Sequence, residues 1–187
     1  MQAVELPHAY RLINHGPTVL VGSAHAGRVN VMAAAWAMPL DFDTPKVAVV
    51  VDKATLTRQL IDASGVLSLN VPCVAQAALT RAVGGESGLD HPDKLARCGV
   101  VWTAGTLTGT PLVDGCIAQM ECRVLPATAH VAGPHDLILA EVLAAWADPR
   151  VLSNGHWQFE RADPTLRSLH HVAGGHFYTV GEAIIPD

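Results

Sequence analysis

The chain alternates between short, strongly apolar segments and turns rich in glycine and proline. Thr18–Ser23 is β-branched and bounded by Pro17 and Gly27, which indicates a strand that ends in a turn. A second apolar run, Val29–Trp36, begins after a turn at His25–Arg28. Because the two runs are separated only by this turn, they predict a β-hairpin.

Two further strands are expected on either side of a short helix. Val47–Val51 is continuously apolar, which is typical of a strand buried on both faces. Thr55–Ala63 carries leucines at helical spacing, with a hydroxyl before them and Gly65 after them, so it predicts a capped helix. Val66–Val71 alternates for part of its length and stops at Pro72, as a strand does.

The second half of the chain is expected to contain more strand than helix. Val74–Val83 predicts a helix, and the three glycines of Gly84–Asp90 predict a loop. Gly115–His130 and His135–Trp146 predict a long antiparallel pair around a turn at residues 132–134. Helix propensity alone would allow a helix at 140–147, but the position after a turn favours a strand.

A short strand at His176–Val180 ends the series. Strands with short interspersed helices predict a β-rich barrel or an α+β domain. At 187 residues, with no long linker and no repeat, the chain is expected to form a single domain over residues 1–187.

Composition adds an expectation about partners. Hydrophobic residues make up 50% of the chain and charged residues only 16%, against roughly 25% in ordinary soluble domains. This shortage of charge favours a second subunit that covers apolar surface, with a compact alanine-rich monomer as the alternative. The formal charge of -5 argues against a nucleic-acid partner.

The location is expected to be cytoplasmic. No apolar run approaches the roughly 18 residues of a membrane span, and the first residues lack the pattern of a signal peptide. The four cysteines form no CxxC pair and are too sparse for a disulfide scaffold, so reduced thiols are the simplest interpretation.

Several common catalytic and binding motifs are missing from the sequence. It contains no GxGxxG, no GxxxxGK followed by Ser or Thr, no HExxH and no GxSxG. Of the ten histidines, His170, His171 and His176 form the densest group. Neighbouring histidines on a strand point to opposite faces, so they predict surface or interface residues more than a metal site. Cys116 and Cys122 are interpreted as core residues.

Three segments remain as candidates for ligand binding, and the first follows the predicted hairpin turn. It comprises Asn30, Met32, Ala33, Ala34, Ala35 and Trp36. A run of small residues allows a flat ligand to approach the backbone and bond to main-chain amides. The alternative is that the alanines pack closely against another sheet.

The second segment indicates an anion site. Lys53, Thr55, Thr57 and Arg58 surround a predicted helix start, where free amides, hydroxyls and an ammonium would suit a phosphate group. An ordinary helix cap is the alternative. The loop Gly84–Lys94 adds Ser87, Gly88 and Lys94, with a solvated loop as its alternative.

The order of these segments resembles the flavin reductase-like family, the FMN-binding split barrels that include flavoredoxin-type proteins and NAD(P)H:flavin oxidoreductases. Residues 17–36 resemble the family's opening hairpin, and residues 47–72 resemble its buried strand, phosphate segment, helix and strand ending in Asn-x-Pro. Further similar positions are Ser87, Gly88, Asp93, Lys94, Pro111, Leu112, Glu121, Cys122, Arg123, Gly181 and Glu182.

The resemblance implies a β-rich split β-barrel of Greek-key type with short flanking helices. It implies FMN as cofactor, with the phosphate near Lys53, Thr55, Thr57 and Arg58 and the ring against residues 30–36 and 70–72, including Asn70. It also implies a homodimer with FMN at the interface, no metal and no catalytic side chain. The expected activity is NAD(P)H-dependent flavin reduction. The alternatives are an FMN-binding electron-transfer protein without its own NAD(P)H reductase activity, and a structural split barrel that has lost flavin.

Overall fold

The computed structural model describes residues 1–184 and 186. The strands, in chain order, are β1 (Gln2–Ala3), β2 (Val19–His25), β3 (Arg28–Ala34), β4 (Ala37–Phe42), β5 (Pro45–Val50), β6 (Val66–Val71), β7 (Trp102–Ala104), β8 (Pro111–Val113), β9 (Ala118–Val124), β10 (Leu137–Ala147), β11 (Leu152–Ser153), β12 (His156–Trp157), β13 (Leu169–Ala173) and β14 (His176–Thr179). The α-helices are α1 (Leu56–Ser64), α2 (Ala77–Gly85), α3 (Lys94–Arg97) and α4 (Thr128–His135), and 3-10 helices lie at Leu6–Leu12, Val74–Gln76 and Pro164–Leu166.

One antiparallel sheet organises the molecule. Its strand order is β3-β2-β6-β9-β10-β5-β4, and β1 also pairs with β10. The two edge strands, β3 and β4, are consecutive in the chain and are joined only by Ala35 and Trp36. The sheet therefore curls until its edges approach each other at this link, with no ladder between them in the described part of the chain. This arrangement confirms the expected β-rich split barrel with short flanking helices.

The barrel is filled with apolar side chains, and a smaller cluster covers its outer face. Val19 and Val21 of β2 point into the main core, whereas Leu20 and Val31 pack outside the barrel with Val83 of α2. Because successive side chains of a strand point to opposite faces, β2 is buried on both sides. Helix α2 is thereby fixed against β3, next to the seam.

The predicted hairpin and the predicted capped helix are both confirmed. Strands β2 and β3 pair from Val19 with Ala34 to His25 with Arg28. Helix α1 begins after Thr55, whose hydroxyl accepts the Arg58 amide, and ends at Gly65 in the left-handed conformation.

The predicted strand Gly115–His130 is wrong in its second half. Strand β9 ends at Val124, and α4 occupies the predicted turn at residues 132–134. The helix is held in place by Thr128, whose hydroxyl donates to the Leu139 carbonyl and accepts the Leu139 amide, each at 2.9 Å. This is a tertiary contact that local sequence does not reveal. The strand preferred over a helix at residues 140–147 is confirmed, since β10 covers it.

Two other expectations also change. Helix α2 continues through Gly84 and Gly85, so the predicted glycine loop begins only at Glu86. Strands β4 and β13 were not predicted. No helix in residues 1–184 is long and apolar enough to cross a membrane.

Candidate functional site

Two adjoining cavities lie beside the open seam of the barrel. The first, which we call the α1 cavity, has a volume of about 290 Å³ and is enclosed by β3, the start of α1, the end of α2 and the loop that leads to α3. The second, the hairpin cavity, has a volume of about 300 Å³ and lies between β3, α2 and the β13–β14 hairpin. Both are lined by Ala33, Gly84 and Gly85, so they meet along one wall.

The fold brings together many residues that are far apart in sequence. The predicted residues that line the α1 cavity are Asn30, Met32, Ala33, Thr55, Thr57, Ser87, Gly88 and Lys94. Ala34 and Ala35 line the hairpin cavity, again with Ala33.

Lys94 is the most unusual side chain of the α1 cavity. It is only 3% exposed, yet its ammonium has no hydrogen-bond acceptor and no carboxylate within ion-pair distance among the described residues. Burial lowers the pKa of Lys94 below its ordinary value, since a low-dielectric environment disfavours the charged form. The nearby Glu86 carboxylate is paired instead with Arg97, at 3.2 Å. A buried cation without a partner is costly, and an anion bound in the cavity would remove that cost.

The start of α1 supplies hydrogen-bond donors to the same cavity. Thr55 uses its hydroxyl as the cap, where it accepts the Arg58 amide at 3.2 Å and donates to the Asp52 carbonyl at 2.7 Å. The amides of Leu56 and Thr57 have no acceptor within the described chain, and both residues line the cavity. Free amides at the positive end of a helix dipole favour an anionic ligand.

The floor of the α1 cavity is fixed by a buried hydrogen bond and a glycine. Asn30 Nδ2 donates to Thr57 Oγ1 at 2.8 Å, which ties β3 to the first turn of α1. A Cβ on Gly88 would lie 2.8 Å from Asn30 Oδ1 and from the Leu56 side chain, so a larger residue there would have to displace one of these side chains. The loop between α2 and α3 can therefore approach β3 closely.

The hairpin cavity has a different character. One wall is the backbone of Ala33, Ala34 and Ala35, and α2 contributes Thr80 and Arg81. The opposite wall is the β13–β14 hairpin, where the His171 and Phe177 rings meet at 5.5 Å. Sequence reasoning predicted the alanine wall but missed the remaining lining residues Thr18, Thr80, Arg81, Gly175 and Phe177. His171 had been noticed, but it was interpreted as a surface or interface residue.

A row of hydrogen bonds anchors the hairpin to the barrel. The Ser168 hydroxyl lies 3.1 Å from both His15 Nε2 and His170 Nε2, and His170 Nδ1 lies 3.1 Å from the Gly16 carbonyl. Because a carbonyl can only accept, His170 Nδ1 carries the proton, Ser168 donates to His170, and His15 Nε2 donates to Ser168. His170 and His171 thus face different environments. The described residues contain no group of three side chains placed to hold a metal.

Four predicted residues lie elsewhere. Lys53 and Arg58 turn towards α4, where both approach the Asp136 carboxylate, at 3.8 and 3.6 Å. Trp36 is 74% exposed and lies beyond the hairpin cavity. Asn70 is buried within the sheet, where it donates to the Leu20 carbonyl at 3.1 Å and accepts the Val113 amide at 2.9 Å. These side chains do not line either cavity.

The arrangement defines a split barrel in which a helix start with free amides adjoins an alanine-lined cavity. The chain belongs to the flavin reductase-like domain family, which it matches over residues 11–166. This finding confirms the family resemblance.

Two relatives and two solved structures illustrate the similarity. The chain is 47% identical to the uncharacterized protein YddH of Escherichia coli K12, over 97% of this chain and 95% of YddH. It is 29% identical to the FMN reductase (NADH) RutF of Variovorax paradoxus, over 67% and 66% of the two chains.

Among solved structures, an FMN-binding domain of a flavin reductases-like enzyme from Shewanella baltica superposes with a TM-score of 0.96 at 48% identity, covering 100% of this chain and 97% of that one. Flavoredoxin of Desulfovibrio vulgaris superposes with a TM-score of 0.78 at 25% identity, covering 91% and 90%.

Proposed function

We propose that the chain binds FMN across the two cavities, with the phosphate in the α1 cavity. The observation that carries this proposal is that the nearly buried side chain of Lys94 lines the same cavity as the free amides of Leu56 and Thr57. Together they form a donor set with positive charge and little solvent, which suits a phosphate dianion. Ser87 and Thr55 border the same space.

The ring of FMN is assigned to the hairpin cavity. Its volume of about 300 Å³ and its wall of three alanines suit a flat heterocycle that contacts the backbone. Lys53, Arg58, Trp36 and Asn70, which lie outside the cavities, are not part of this assignment. FMN would supply the hydride and electron transfer, while the protein binds it, orients it and limits its contact with water.

We further propose that the protein is an NAD(P)H-dependent flavin reductase. Its support is the similarity to RutF proteins, which are named as NADH-dependent FMN reductases. No side chain is assigned a catalytic role, because the bound flavin and the nicotinamide would themselves supply the hydride chemistry.

The proposed assembly is a homodimer with the ring end of the site at the interface. Strand β4 is an edge of the sheet and presents an exposed apolar row, formed by Trp36, Met38, Leu40 and Phe42. Trp36 directly follows Ala35, so this row is continuous with the hairpin cavity. A second copy is the occupant best suited to a surface that adjoins the site in a chain with only 16% charged residues. Leu40→Glu should convert the dimer to a monomer in size-exclusion chromatography with light scattering.

Two measurements test the function. Titration with FMN should give saturable quenching of flavin fluorescence and a shifted flavin absorbance spectrum, and a chain that takes up no FMN would refute both flavin assignments. Stopped-flow mixing of the FMN-loaded protein with NADH or NADPH should bleach the flavin absorbance. If FMN binds but neither nucleotide bleaches it, the protein is an electron-transfer flavoprotein instead of a reductase.

A further inference from the structure

The polar groups of the hairpin cavity are concentrated on α2. Thr80 is fully buried, and its hydroxyl has no hydrogen-bond partner among the described residues. A buried hydroxyl without a partner costs free energy, and a ligand with a polar edge at this position would supply the missing bond.

Arg81, the next residue of α2, is the only side chain with a permanent charge on the described lining of this cavity. No carboxylate lies within ion-pair distance of its guanidinium among the residues described. The guanidinium lies over the β13–β14 turn, since a Cβ on Gly175 would be 3.8 Å from Arg81 Nε and 3.9 Å from Cζ. An exposed arginine thus lines the same cavity as the unsatisfied hydroxyl.

The isoalloxazine ring has two chemically different edges. One edge is a dimethylbenzene and is apolar, whereas the other is a pyrimidine that carries two carbonyl groups and an N–H. Two electrons and one proton added to the neutral oxidised ring leave one negative charge, which is concentrated on the pyrimidine edge. A positive charge close to that edge favours the reduced ring over the oxidised one.

We propose that the pyrimidine edge of the flavin faces α2, where Thr80 hydrogen-bonds it and Arg81 raises its reduction potential. This inference rests on the proposed FMN function and assigns two positioning residues within the same site. The apolar edge then lies towards Ala35 and the exposed row of β4. An orientation with the edges reversed would leave the Thr80 hydroxyl unpartnered and would place Arg81 beside a methyl-bearing ring.

The potential of bound FMN tests the role of Arg81. Arg81→Met should bind oxidised FMN nearly as tightly as the wild type does, but should bind reduced FMN about tenfold less tightly than the wild type does. For a two-electron couple, this difference lowers the reduction potential of bound FMN by about 30 mV. Arg81→Lys should retain a large part of the wild-type potential. The matched control is Arg123→Met, because Arg123 is an exposed arginine of β9 outside both cavities.

The measurement is a spectroscopic titration with dithionite against a reference dye, at low ionic strength. Equal potentials in wild type and Arg81→Met, or an equal fall in Arg123→Met, would overturn the assignment. These outcomes differ from a failure of the proposed function, in which the wild-type chain itself takes up no FMN.

Thr80→Val provides a second, independent readout. Valine has nearly the shape of threonine but no hydroxyl, so the FMN-free protein should be more stable, while the affinity for FMN should fall about fivefold. A hydroxyl with a purely structural role would not produce this opposite pair of changes. Loss of stability together with unchanged FMN affinity would contradict the proposed contact.

Discussion

The two adjoining cavities differ in how they are built. The α1 cavity is formed mainly by the segments from Asn30 to Lys94, and its key groups are a helix start and a charged side chain. The hairpin cavity combines residues from the same part of the chain with His171 and Phe177, which are more than 80 positions away in sequence. The first presents charge and free amides, whereas the second presents backbone and a hairpin wall.

Because the two cavities are built differently, the two ends of the proposed site should respond to different perturbations. The α1 cavity depends on the electrostatics of a buried ammonium. The hairpin cavity depends on the docking of β13–β14, which two histidines and Ser168 hold against residues 15–18. No histidine is found on the described lining of the α1 cavity.

The largest expected effect is a fall in the free energy of unfolding in acid, caused by histidines that hold the β13–β14 hairpin. Burial, followed by repulsion from His170, lowers the pKa of His15 to about 4. Because the unfolded chain takes up a proton near pH 6.5 and the folded chain only near pH 4, the free energy of unfolding should fall as the pH drops through this window. The loss due to His15 is at most about 3 kcal/mol. Burial also lowers the pKa of His170, which adds in the same direction.

Urea unfolding between pH 4 and 7 measures this effect. His15→Gln keeps a donor for Ser168 but cannot titrate, so it should flatten the pH dependence. Hydrogen exchange at pH 4.5 should accelerate in β13–β14 more than in α1. An unchanged slope in His15→Gln would show that other groups control acid stability.

The next largest effect is expected at Lys94. Lys94→Met should weaken FMN binding about a hundredfold, since it removes a charged contact to the phosphate worth roughly 2–3 kcal/mol. The same variant should leave the FMN-free protein equally or more stable, because a buried unpaired charge is lost. Fluorescence titration gives the affinity and thermal unfolding gives the stability. If Lys94→Met bound FMN with wild-type affinity, the assignment of the phosphate to this cavity would be wrong.

Gly88 is expected to show an intermediate effect. Gly88→Ala places a Cβ 2.8 Å from Asn30 Oδ1, which should displace the Asn30 side chain from Thr57 and weaken FMN binding about tenfold. The control is Gly133→Ala, because a Cβ at Gly133 meets nothing within 4 Å. Equal affinities of the two variants would show that the loop adjusts without cost. Both affinities come from the same fluorescence titration.

The smallest effect is expected at Lys53, although its position at the helix start predicted a phosphate contact. Its side chain is 67% exposed and donates to the Gly133 carbonyl at 3.2 Å, outside the cavity. Lys53→Met should therefore change FMN affinity less than about threefold, since exposed ion pairs contribute little. An affinity loss equal to that of Lys94→Met would favour the sequence-based assignment over the geometric one.

Sequence alone determined the parts of this protein that depend on local chemistry. The β2–β3 hairpin and the caps of α1 followed from residue types at fixed spacing, because turns and caps are decided within a few residues. The family followed from the resemblance of several segments in their order along the chain. Most residues that line the α1 cavity were also named from the sequence, because they belong to these local segments.

Only the tertiary structure decided which charged side chains enter the cavity and which do not. From sequence, Lys53 was the expected phosphate contact and Lys94 was only part of a loop, but Lys53 lies near Asp136 at the end of α4, and α4 itself was mistaken for strand and turn. The hairpin wall with His171 and Phe177 depends on long-range docking to residues 15–18. Such packing between distant segments leaves no local pattern, so the ring end of the site could be found only in the folded chain.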